Sequence, residues 1–134
     1  MLNFRSIALS ASLLLSVFAG AAQAQTTPAE QIAGYVVASG QPAQATRGQQ
    51  FFSGKHGKEW SCSSCHTANP AMEGKHASTG KVIAPMAPAA NPKRFTDAAK
   101  TEKWFRRNCN DVLGRECTPG EKADFITWLV SIKP

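Results

Sequence analysis

Cys62-Ser63-Ser64-Cys65-His66 is the stretch on which the reading of this chain turns. Two thiols three positions apart and an adjacent imidazole all come from about one helical turn. That spacing suits two thioether bonds to the vinyl groups of a haem, with His66 beneath the iron as proximal ligand. A thioredoxin-like use of the thiols needs a strand running into a helix, and no strand precedes them. A structural zinc site needs a second ligand pair at knuckle spacing, and Cys109 and Cys117 are too far apart for one. The expected cofactor is one haem c per chain, covalently attached through Cys62 and Cys65, with His66 as the metal ligand.

Upstream of the motif, Arg5, an apolar run over residues 7–19 and Ala22-Gln23-Ala24 have the order of a secretory signal: positive, apolar, small-residue cleavage site. Residues 1–24 are read as a signal peptide and 25–134 as one cytochrome c domain. The wider apolar stretch over residues 7–22 is broken by three serines and a glycine, and falls short of the roughly 20 residues of a membrane span. No stable membrane insertion is expected after signal removal. Removal lowers the formal net charge from +6 to +5, because Arg5 is the single charged residue lost. Export implies a periplasmic location, where an oxidising environment permits disulfides.

Downstream of the cleavage site the pattern is helical. Thr27-Pro28-Ala29-Glu30 is a capping box with proline at the first helical position, so a helix is expected over residues 28–38. A second is expected over 43–52 and a third over 97–109, with Asp97 early and basic residues late. Thr118-Pro119-Gly120-Glu121 repeats the capping box and opens a last helix to about residue 132. Residues 78–95 carry Pro85, Pro88 and Pro92 and read as a stiffened loop, long enough to imply that it covers something. No segment alternates as a strand does. The expected fold is all-α, a class I cytochrome c-like domain whose N- and C-terminal helices pack beside one haem. Phe52, Phe125, Leu129 and the tryptophans are assigned to core or haem wall.

With Cys62 and Cys65 used by haem, Cys109 and Cys117 remain, and an oxidising compartment favours their pairing as a disulfide. The sixth iron position then decides between an electron carrier and a binder of small ligands. Met72, Met86, His56, His76, Asn108 and Asn110 are the candidates. Residue chemistry points to Met86, in the stiffened loop, although the same side chain also suits a gap-filler at the haem edge. Asn108 has a competing role as a helix cap. Residue chemistry alone leaves the position open.

Residues 48–66 resemble the opening helix and haem motif of class I cytochromes c. Lys81-Val82-Ile83-Ala84-Pro85-Met86-Ala87-Pro88, Asn91-Pro92-Lys93-Arg94-Phe95-Thr96 and Lys103-Trp104-Phe105-Arg106-Arg107-Asn108-Cys109 resemble the sphaeroides haem protein (SHP) family. The similarity continues through Cys117-Thr118 and covers nearly all of the expected mature chain. The related cytochromes c″ place a histidine directly before the first disulfide cysteine, where this chain has Asn108. The resemblance implies that Asn108 is the distal iron ligand of the oxidised protein and leaves on reduction. It also implies that Cys109–Cys117 is the disulfide beside that ligand, and that Met86 is a haem-pocket residue.

The basic residues are scattered and form no nucleic-acid-binding module, so no nucleic-acid partner is expected. Lys100, Lys103, Arg106 and Arg107 make a cationic helix face able to steer an acidic redox protein. The resemblance implies a dihaem cytochrome c as electron donor and a small diatomic ligand such as O₂ or NO at ferrous haem. Oxidoreductase chemistry on small oxides is a further possibility, with no catalytic residue assigned. The alternative is a plain electron-transfer cytochrome with Met86 or His76 as permanent sixth ligand. A ligand sensor is disfavoured because no signalling domain accompanies the motif.

Overall fold

The computed structural model describes residues 25–133; the expected signal segment lies outside the described residues. Helix α1 (Pro28–Ser39) starts where the capping box places it, with the Glu30 carboxylate accepting from the Thr27 amide at 2.7 Å. It stops at Gly40, whose φ of 67° is a left-handed conformation that glycine adopts without a Cβ clash. Helix α2 (Ala45–Ser53) follows, then the short α3 (Cys62–His66). A two-residue antiparallel ladder joins β1 (Gly74–Lys75) to β2 (Val82–Ile83). Helix α4 (Ala98–Leu113) and α5 (Pro119–Ser131) complete the order. The architecture is the all-α one expected.

Two details differ from the sequence reading. The two short strands escape an alternation test, because two residues cannot show a period. Helix α4 runs a full turn past residue 109, to a left-handed Gly114 at φ 74°. Glycine at that position is the stronger stop, so Asn108 and Asn110 lie within the helix and neither caps it.

The core forms where α5 packs against both α1 and α2, and Phe52, Ile126 and Leu129 are fully buried there. Phe52 meets Trp128 at 4.8 Å between ring centroids, and Phe105 meets Phe125 at 5.6 Å. Gly48 permits the α2–α5 crossing: a Cβ there would lie 2.1 Å from the Asp124 carbonyl oxygen. Buried Asp124 then reaches back across the crossing. It accepts from the Gln44 amide at 2.6 Å and from Arg47 Nε at 2.6 Å, so α5 supplies the cap that α2 lacks in its own sequence. Trp128 belongs to this core, whereas Trp60 and Trp104 are 39% and 43% exposed.

Candidate haem site

A cavity of about 1660 Å³ opens between α3, the stiffened loop and α4. One wall is built on α3. Ser61 opens this helix with a reciprocal box, its amide donating to Ser64 Oγ at 3.0 Å. A single turn then delivers Cys62, Cys65 and His66 to the lining. The chain leaves at Thr67 with φ 62° and ψ 169°, a conformation that costs a non-glycine residue about 1–3 kcal/mol. It turns the backbone away directly after His66. Gly74 of β1 packs against the same turn, where a Cβ would come within 2.2 Å of the Cys65 carbonyl oxygen.

The chemistry of this wall suits a covalently attached metal porphyrin. Cys62 and Cys65 are free thiols, and burial pushes Cys62 up to about 11. Burial, reinforced by the charge of Arg94, pushes His66 down to about 4, so its imidazole is neutral at ordinary pH. A neutral imidazole offers a nitrogen lone pair with no proton to displace.

Arg94 has a second task. Its Nε donates to the Pro85 carbonyl at 2.8 Å, and its other guanidinium nitrogen to the Ala84 carbonyl at 2.6 Å. Pro70 accepts from the Met86 amide at 2.7 Å, so the stiffened loop is tied down on both sides of Met86. The Met86 side chain is buried and lines the cavity.

The opposite wall is α4. Thr101, Trp104, Phe105 and Asn108 follow one another at helical spacing along it, and all four line the cavity. Cys109, buried behind Asn108, is disulfide-bonded to Cys117, with 5.6 Å between the Cα atoms. Asn110 also borders the cavity, but two residues turn a helix by roughly 200°. Of its helical neighbours, Arg107 and Leu113 border the cavity too, while Lys103 and Arg106 are exposed and lie outside the lining.

The structure therefore brings Cys62, Cys65, His66, Met86, Asn108 and His76 to one cavity. His76 sits on its edge, with Nδ1 facing the Thr79 amide at 3.3 Å and the Ser78 hydroxyl at 3.2 Å. Met72 is 60% exposed and outside the lining. His56 packs against Phe51 with ring centroids 4.8 Å apart and planes tilted by 43°, is bonded to its carbonyl, and is also outside the lining. Sequence reasoning missed Arg94, Gly74 and Phe105 as site-forming residues. Arg94 acts on carbonyls nine and ten positions away, and the Gly74 contact is one of backbone on backbone; neither leaves a local pattern.

Residues 38–129 match a family described as Domain of unknown function (DUF1924). The chain is 51% identical to Cytochrome c-type protein SHP of Cereibacter sphaeroides over 124 residues, which is 89% of this chain and 95% of that protein. It is 52% identical to cytochrome c″ of Methylophilus methylotrophus over 90 residues, 64% of this chain and 62% of that one. Among solved structures, oxidised SHP, described as an oxygen-binding cytochrome c, superposes with a TM-score of 0.77 at 52% identity, covering 81% of this chain and 99% of that one. Oxidised cytochrome c″ gives 0.69 at 42% identity, covering 80% and 95%.

Proposed function

Because the chain belongs to the SHP family of c-type cytochromes, which carry covalently bound haem, we propose that it is a periplasmic redox-switched binder of small ligands. A haem in the cavity supplies a one-electron couple and an axial position that a small ligand can take. Cys62 and Cys65 fix the group to α3, and His66 presents its neutral nitrogen from below. Asn108 reaches from α4 as the distal ligand of the oxidised state. An amide is a weak neutral donor that suits the harder ferric ion better than the ferrous one, so Asn108 lets go on reduction. O₂ or NO then finds room on the α4 side, and the Cys109–Cys117 bond holds the helix in place for the return of Asn108. Electrons come from another cytochrome, a dihaem c-type protein in this reading, that docks on the cationic face of α4. The solved structure of the relative SHP is described as that of an oxygen-binding cytochrome c, in keeping with this reading.

The observation that carries the proposal is the position of Asn108 on the cavity stripe of α4, one residue before a buried disulfide cysteine. Met86 and His76 both line the same cavity, which gives the plain electron carrier its structural argument. Spectra of the reduced protein with and without CO separate the two. A CO-induced change is expected; a low-spin ferrous spectrum untouched by CO would return the protein to the electron carriers. Asn108→Ala is expected to alter the ferric spectrum while Met86→Leu leaves it low-spin, and the reverse pattern moves the ligand to Met86.

A further inference from the structure

Tyr35 is the single tyrosine of the chain, and neither haem attachment nor axial ligation uses it. Its ring meets Phe105 edge-on, with centroids 6.2 Å apart and planes at 88°. Phe105 in turn lines the cavity, so one aromatic ring separates Tyr35 from that space. On its other side the Tyr35 hydroxyl donates to Glu102 Oε1 at 2.5 Å. The second Glu102 oxygen accepts from Lys122 at 2.8 Å, so α1, α4 and α5 meet in one Tyr–Glu–Lys cluster.

A phenol bonded to a carboxylate is arranged to lose an electron and a proton together. Burial and then the Glu102 bond hold this phenol protonated far above neutral pH, so simple deprotonation does not compete. The oxidised phenol is a very strong acid, and even a carboxylate stabilised by Lys122 takes its proton. Lys122 lies 5.5 Å from the Tyr35 ring, but its charge is shared with Glu102. The rival donor, Trp104, has Arg107 at 5.7 Å over its ring, and no carboxylate pairs with Arg107 among the described residues. A cation over the ring opposes removal of an electron from it.

We propose that Tyr35 is a one-electron donor to the haem cavity when hydrogen peroxide is the oxidant, leaving a tyrosyl radical at Tyr35 and its proton on Glu102. The inference rests on the proposed open position at the iron. Cleaving the O–O bond takes two electrons and brings both oxygens to the oxidation level of water. The ferric iron gives one electron and Tyr35 gives the other, through Phe105. The Tyr35 O–H bond breaks, a new O–H bond forms on Glu102, and a neutral phenoxyl radical remains.

The test is rapid freezing of the ferric haem-loaded protein after mixing with peroxide, followed by electron paramagnetic resonance. A tyrosyl signal is expected, and its hyperfine splitting should collapse when the protein is made with ring-deuterated tyrosine. Tyr35→Phe keeps the ring against Phe105 and should abolish the signal; Glu102→Gln keeps a hydrogen-bond acceptor but binds a proton poorly and should lower its yield. If Tyr35→Phe does not fold, judged by circular dichroism, the deuterium effect decides alone. A peroxide-induced haem change without a deuterium-sensitive radical overturns the role of Tyr35 and leaves the open iron site standing. No haem change with peroxide overturns this inference, and the CO spectrum separately decides the open site.

Discussion

Reducing the Cys109–Cys117 bond perturbs the wall that carries Asn108 without touching the other, because thioether bonds to haem are not reducible by thiols or phosphines. The two cysteines are 8 residues apart in sequence. A cross-link over so short a loop removes about 8 cal/mol/K of conformational freedom from the unfolded chain, about 2.5 kcal/mol at 25 °C. Each described residue adds about 2 cal/mol/K to the unfolding entropy, so the midpoint temperature should fall by about 10 °C. Haem attached at Cys62 and Cys65, as proposed, would restrain a different segment and would not reduce this figure. The assay is guanidinium unfolding with and without a phosphine reductant, the iron in one oxidation state throughout, followed by haem absorbance and circular dichroism. Comparing oxidised with reduced protein leaves the packed sulfurs in place, so the difference reads chain entropy and not cavity formation. A loss below about 1 kcal/mol would rule out loop-closure entropy as the source of the stabilisation, since it would mean that residues 109–117 stay restrained when unfolded.

Other perturbations address the helix crossing and the surface charges. Gly48→Ala puts a Cβ 2.1 Å from backbone oxygen, which cannot swing aside, so a loss of about 3 kcal/mol or more is expected in denaturant unfolding. Asp124→Asn breaks the pair with Arg47; with Asp124 buried and Arg47 39% exposed in its side chain, about 2–3 kcal/mol should be lost. Burial acts to raise Glu102 and Glu121. It is outweighed by Lys122 and Tyr35 on the first and by Arg115 and Thr118 on the second, so both carboxyls are held below their ordinary 4.5. Carboxyls lowered on folding contribute stability above pH 4.5 that is lost as pH falls through their folded values. Glu102→Gln/Glu121→Gln should therefore unfold with a shallower acid dependence than the parent as pH falls below the ordinary carboxylate range, and an identical slope would exclude these groups as its source.

Helix starts were legible in the sequence because their causes are local. Thr27 with Glu30, and Thr118 with Glu121, carry both halves of a capping box within four residues, and both boxes form. The start of α2 was not, since its cap is Asp124, 80 residues away from Gln44. The end of α4 was misplaced because Asn108, read as a competing cap, precedes the stronger stop Gly114 in one short stretch. The winner depends on what the helix packs against. In the site, the five-residue motif announced its own chemistry, whereas Met86 and Asn108 were drawn together by a loop pinned through Arg94 and a helix pinned through Cys109. Those pins are carbonyls nine and ten residues from Arg94 and a disulfide to Cys117 in the turn before α5, and periodicity is blind to both.

The two walls of the cavity are held in different ways, and this bears on how Asn108 would move in the proposed switch. On the α3 side, Gly74 lies backbone to backbone against Cys65, which leaves little freedom. On the α4 side, Glu102 pairs with Lys122 and Cys109 is bonded to Cys117, so the helix is fastened to its surroundings at two heights. Displacing the whole helix would break the first tie and strain the second. Release of Asn108 in the proposed switch is therefore a rotation about its own side-chain bonds, with no backbone hydrogen bond lost. Side-chain rotation exposes almost no surface, whereas fraying the last turn of α4 exposes Cys109 and Leu113 and responds to denaturant. Stopped-flow reduction in the presence of CO should then give a ligand-binding rate nearly constant in subdenaturing urea. A rate that climbs steadily with urea would show that α4 must open, and that the disulfide limits the motion instead of merely restoring the starting position.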